Sequence, residues 1–179
     1  MTKLTKFSRF LAASLVCTSF LSAAHDLVPG SKQTQPILLK NGTIHTVTNG
    51  TLKGADLLFE NGKITAVGNV DKPQNAKVID VTGKHVYPGL IAMDSTLGLT
   101  EISAVRATRD MSEVGDVNPD VKGRVAFNAD SELIPTMRSN GITHVQVVPE
   151  GRMFTGLSSL VQLDAWNWTD AVVKADEGV

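Results

Sequence analysis

The side chains with most chemical potential in this sequence are few and scattered. His144 sits inside the apolar run Ile142 to Val148, where an imidazole is more often packed and hydrogen-bonded than a ligand. His45 and His85 fall in short β segments and read the same way, while His25 lies at a processing junction. Gly156-Leu157-Ser158-Ser159-Leu160 lacks the second glycine of a nucleophile elbow, and no motif pairs a base with either serine, which argues against serine catalysis. Between Asp94 and Asn128 runs a long polar stretch with Arg106, Arg109, Asp110, Glu113, Asp116 and Asp120. Loops beyond about 15 residues in compact domains are usually functional or disordered. No residue is assigned a catalytic role from these patterns.

The elements that would position such groups are legible from turns and periodicity. From Gln35 to Val70, short β segments alternate with Asn41-Gly42, Asn49-Gly50 and Asn61-Gly62. Asn-Gly is the strongest short hairpin signal because both residues tolerate positive φ, so a small antiparallel sheet is expected. The same asparagines create sequons at Asn41 and Asn49, with a third at Asn167; turn chemistry accounts for the first two without a sugar. Val78 to Val81 is a further strand, closed by Thr82-Gly83. His85 to Met93 is a mostly apolar run around Pro88-Gly89, which suits a strand covered on both faces in a parallel sheet. A helix is predicted after Asp130 or Ser131 as cap, with Pro135 in its first turn and Gly141 as its stop. Ile142 to Val148 follows as a strand, completing a βαβ unit, a connection that is nearly always right-handed. In the tail, Leu157 to Leu163 reads as a strand and Trp166 to Ala175 as a short helix.

The N-terminus carries a different message. Lys3, Lys6 and Arg9 precede an apolar stretch from Phe10 to Leu21, and Ser22-Ala23-Ala24 supplies small residues for cleavage. A spanning helix needs about 20 apolar residues, so residues 1–24 read as a cleaved signal peptide and not as an anchor. Val16 before Cys17 is too large for a lipobox. Cleavage would leave 155 of the 179 residues without cysteine; loss of the three basic residues would take the formal net charge from −1 to −4. A chain of about 150 residues buries roughly 70% of its unfolded surface and needs no disulfide staple. Mild acidity and 5% aromatic residues exclude a nucleic-acid interface with a basic stripe or stacking platform.

The most specific signal is Val86-Tyr87-Pro88-Gly89-Leu90-Ile91-Ala92-Met93-Asp94-Ser95-Thr96, preceded by Asn61-Gly62-Lys63-Ile64 and Val78-Ile79-Asp80-Val81-Thr82-Gly83-Lys84. In this order the segments resemble the amidohydrolase superfamily, specifically its exported imidazolonepropionase-like members, from about Ile37 to Val179. The resemblance implies a small antiparallel β-sandwich part over residues 35–85. Residues 86–179 would then be the first βαβ unit of a (β/α)₈ metal-dependent hydrolase barrel, incomplete in this chain because such a barrel needs about 250 residues. The intact signal and well-matched sheet imply that whatever is missing lies on the C-terminal side.

The same resemblance implies hydrolysis of a non-peptide, possibly cyclic, carbon–nitrogen bond of a small-molecule substrate by a metal-activated water, with a divalent metal, zinc foremost. After Pro-Gly-Leu-Ile the family motif continues with Asp, any residue, His, any residue, His, since alternate residues at a strand end can reach one metal. Here Ala92 stands at the aspartate position and Asp94 and Thr96 at the two histidine positions. Asp94 offers a hard oxygen to a metal, and threonine is a poor ligand; both also serve as ordinary turn residues. In a complete barrel the charged stretch would face the active-site mouth, where Arg106 and Arg109 would clamp a substrate carboxylate or simply be solvated. Two readings remain: part of an exported, periplasmic hydrolase, or a truncated or non-catalytic exported binding module. The orphaned first strands of a barrel would expose apolar edges, which predicts aggregation or proteolysis on expression.

Overall fold

The computed structural model describes residues 26–178. The predicted signal peptide, Cys17 and His25 lie outside the described residues.

Two sheets follow one another along the chain. The first holds β1 (Ile37–His45), β2 (Thr51–Glu60), β3 (Lys63–Gly68), β4 (Lys77–Asp80) and β5 (His85–Val86). Its order is β3-β2-β1-β4, with β5 also on β1. Strands β1 to β3 form an antiparallel meander, but β4 and β5 both run parallel to β1. The sheet is therefore mixed, a correction to the antiparallel expectation. Its cause is the segment after β3, which returns to the far side of β1 and does not turn back in a hairpin.

The three Asn-Gly pairs behave differently. Asn61 and Gly62 both take positive φ, 53° and 72°, and make the predicted tight turn between β2 and β3. The β1–β2 connection is longer than the predicted two residues, closed by the Thr46 amide donating to the Gly50 carbonyl at 3.0 Å. Asn41-Gly42 is no turn at all. Asn41 has φ 61° inside β1, the register with β2 shifts there, and the Asn41 amide donates to buried Asp56 Oδ1 at 2.9 Å. This is a bulge: the ten-residue β2 is long enough to pair with β1 on both sides of it.

The expected continuous strand from His85 to Met93 is divided between the sheets. β5 ends at Val86, and β6 (Leu90–Ser95) opens the second sheet. Gly89 is required at the crossing, because a Cβ there would lie 2.3 Å from Thr143 Oγ1. The second sheet has the order β6-β7-β8-β9, with β7 at Ile142–Val147, β8 at Ser158–Gln162 and β9 at Val172–Glu177. β6 and β7 are parallel, with helix α1 (Leu133–Ser139) between them in sequence; β7 to β9 are antiparallel.

α1 stops where its sequence predicts, but its N-cap is Glu132, one residue past the predicted Asp130 or Ser131, and makes no side-chain cap hydrogen bond. Ser131 Oγ accepts the Leu133 amide at 3.3 Å, Pro135 lies in the first turn, and Gly141 follows with φ 84°. The predicted tail helix is reduced to one turn, α2 (Trp168–Ala171), capped by Asn167 Oδ1 accepting from the Asp170 amide at 3.0 Å. The residues after it form β9, because the exposed side of β8 offers a ladder that outweighs a short helix.

The larger core lies on one face of the second sheet, where Val145, Val147, Val161 and Leu163 meet Ile134 of α1. Leu97, Leu99 and Phe127 join it from the ends of the long polar stretch. That stretch is pinned: the Asp110 amide donates to the Leu99 carbonyl at 2.8 Å and the Asn128 amide to the Gly98 carbonyl at 2.9 Å. A smaller cluster of Ile44, Ala55 and Leu57 lines the first sheet. Among the described residues no helix is long and apolar enough to cross a membrane.

Candidate functional site

Strand β6 leads to the segment where chemistry was expected. Its pairing with β7 is irregular between Ala92 and Ser95, and Asp94 is exposed with φ 53°. The bulge breaks the alternation that would aim residues 94 and 96 at one point. Beyond it, the Ser95 hydroxyl accepts the Leu97 amide at 3.2 Å and turns the chain into its loop.

Arg106 opens and Arg109 closes a 3-10 turn that ends with the Arg109 amide donating to the Arg106 carbonyl at 3.2 Å. Both side chains are exposed, and neither forms an ion pair among the described residues. They line an open cleft of about 480 Å³ with Asp110 and Ser112. Asp94 is not among its lining residues, so the two sets of predicted site residues are not brought together.

The serines of the 156–160 segment are structural. Ser158 Oγ donates to the Glu177 carbonyl and accepts from Gln146 Nε2, while Ser159 Oγ accepts the Asp176 amide at 3.0 Å. His144 is half-buried on β7, with Nδ1 2.9 Å from Thr143 Oγ1.

Two clusters had no signal strong enough to single out. Arg124 makes a two-bonded contact to Asp176, Nε to Oδ1 at 2.8 Å and Nη2 to Oδ2 at 3.1 Å, with Lys122 Nζ 3.3 Å from the same carboxylate. Its guanidinium also lies 5.3 Å from the Trp168 ring centroid. The Arg124 hydrogen bond holds the Asp176 carboxyl below its ordinary range, helped by Lys122 and opposed by partial desolvation. This is a clasp between the long loop and β9. The second cluster lies on the first sheet, where His45, His85 and Tyr87 come together. Only pairing of β1 with β5, 40 residues apart, makes it visible.

Comparison with known proteins places this geometry. The solved structure of an amidohydrolase from Thermotoga maritima MSB8 superposes with a TM-score of 0.73 and 33% identity, covering 79% of this chain and 37% of that one. The chain belongs to the amidohydrolase superfamily. Among its curated relatives, a dihydroorotase of Bacillus cytotoxicus is 27% identical over 74% of the chain and 34% of its own length. A D-hydantoinase of Geobacillus stearothermophilus is 40% identical over 45% of the chain and 16% of its own. The amidohydrolase chain thus spans about a third or less of the relatives it matches. No protein-family model matches it.

The metal expected from the superfamily resemblance does not fit the residues present. Among the described residues no three His, Cys, Asp or Glu side chains converge to hold an ion. Asp94 stands on the irregular end of β6 outside any such group, and a single carboxylate is a weak donor set.

Proposed function

We propose that this chain supplies the small sheet and the first parallel strand pair of a (β/α)₈ amidohydrolase whose full-length form hydrolyses a cyclic, non-peptide carbon–nitrogen bond. The observation that carries this reading is the likeness to the Thermotoga amidohydrolase over both sheets. Relatives named dihydroorotase and D-hydantoinase support a small cyclic amide as substrate. The metal and the general base belong to parts of the fold beyond these strands, and no catalytic step is assigned to residues described here. Arg106 and Arg109 are proposed to bind a substrate carboxylate at the barrel mouth, with Asp110 competing for them in the same cleft. Residues 1–24 are proposed to direct export to the periplasm.

The 179 residues alone are proposed to be inactive, because Asp94 and Thr96 replace the motif histidines and no ligand cluster forms among the described residues. The purified chain, incubated with zinc and then with dihydroorotate or hydantoin, should retain no zinc bound through Asp94 and open neither ring. Turnover with stoichiometric zinc, lost in Asp94→Ala, would overturn the inactive reading. Sequencing beyond codon 179 tests the larger one: further strand and helix repeats with histidines are expected, and none in any frame would defeat it.

A further inference from the structure

Asn-Gly pairs carry a chemistry of their own, because a glycine nitrogen brings no side chain into the way when it attacks the preceding carboxamide. The three pairs in this chain are held unequally. Asn41-Gly42 is locked in β1: the Asn41 amide donates to Asp56 Oδ1, Gly42 is buried, and a Cβ on Gly42 would lie 2.9 Å from Val81. Asn61-Gly62 is fixed in its turn at φ 53° and 72°, and the Gly62 amide donates to Gln33 Oε1 at 3.1 Å. Asn49-Gly50 is exposed, and nothing lies within 4 Å of the Cβ position on Gly50. Among the described residues neither the Asn49 carboxamide nor the Gly50 N–H has a hydrogen-bond partner. The connection is tied through Thr46, whose Oγ1 donates to the Gly50 carbonyl at 2.9 Å and accepts the Asn49 amide at 2.9 Å. Val47 between them takes φ 66°, a left-handed conformation that is costly for a β-branched residue. Strain and sparse contacts lower the cost of local opening.

We propose that Asn49 is the site at which this chain ages chemically, by intramolecular deamidation to aspartate and isoaspartate. In the opened loop the Gly50 nitrogen loses its proton and bonds Asn49 Cγ. The bond from Cγ to the side-chain nitrogen breaks, and that nitrogen leaves with the proton as ammonia. Water then opens the succinimide. Cleavage of its Cγ–N bond gives aspartate at this position; cleavage of the bond from the main-chain carbonyl to nitrogen gives isoaspartate, with one extra carbon in the backbone. Either product places a carboxylate on the wall of the cavity of about 350 Å³ that Asn49 lines with His45, Val86 and Tyr87. Isoaspartate also lengthens the β1–β2 connection, so the closure of Thr46 on Gly50 is the contact it disturbs. The site is independent of the barrel chemistry proposed above.

The test is incubation of the full chain in mildly alkaline buffer, folded and in urea, followed by site-resolved mass spectrometry. Trypsin leaves Asn41 and Asn49 on one peptide, residues 41–53, and Asn61 on the next, residues 54–63, so fragment ions assign the first two. In the folded chain, conversion of amide to acid should run about tenfold faster at Asn49 than at Asn41 or Asn61, through its easier local opening. Isoaspartyl methyltransferase should label the same position. In urea the three rates should converge, since the fold sets their differences. T46A frees the Asn49 amide and the Gly50 carbonyl and should speed conversion at Asn49 severalfold with Asn61 unchanged. Equal rates at the three sites in the folded chain, a lead by Asn41 or Asn61, a gap that persists in urea, or a T46A rate equal to the parent's would overturn the assignment.

Discussion

Asp176 and Gly89 carry the residue-scale consequences. The Asp176 carboxyl is held low chiefly by the Arg124 hydrogen bond. A carboxylate depressed in the folded state contributes its stability in full above the unfolded value, near pH 4, and loses it as pH falls through the folded value. Thermal melts of the parent should therefore drop more steeply below about pH 4 than those of Asp176→Asn, whose melting temperature should be lower at pH 7 but flatter in acid. Gly89 faces Thr143 too closely to accept a methyl group. Gly89→Ala should cost about 1–3 kcal/mol in urea unfolding, the usual range for overpacking. The chemistry of Pro88-Gly89 in the sequence motif is thus a packing requirement between β6 and β7.

At the scale of elements, β6 and α1 show contrasting degrees of completion. α1 is fully provided for: buried Ser131 bonds its first turn and Ile134 enters the core. Ser131→Ala should cost about 1 kcal/mol, the usual worth of one lost hydrogen bond, measurable as a shift in the urea midpoint. β6 has a neighbour on one side alone, and Leu90, Ile91 and Met93 are 60%, 53% and 65% exposed. The sequence expectation of a strand covered on both faces is not met by the elements described. An open apolar edge recruits other chains. The double variant Ile91→Lys/Met93→Lys should shift the protein from high-mass species toward monomer in light scattering after gel filtration.

For the whole molecule, the second sheet is built as a half-finished wall. One face is packed against α1 and the ends of the long loop; the other presents His144, Gln146 and Gln162 without a covering layer among the described residues. The prediction at this scale is the absence of ring-opening activity in the purified chain. Fusion or co-expression with the remaining strands of a relative should both reduce its aggregation and protect β6 amides from hydrogen exchange. Unaltered exchange at Leu90 to Ala92 in such a complex would argue that the open edge is not a barrel seam.

Local chemistry determined what lay within a few residues: the Asn61-Gly62 turn, the stop of α1, the β7 and β8 strands, and the ordered segments that identify the superfamily. Those features depend on φ preferences and periodicity, which a sequence displays directly. The bulge at Asn41, the division of residues 85–93 between two sheets and the conversion of the tail into β9 depended on which strand was available as partner. The His45–His85–Tyr87 cluster and the Arg124–Asp176 clasp were decided the same way, since each joins residues at least 40 positions apart. Pairing and register are long-range properties, and only the tertiary structure holds them.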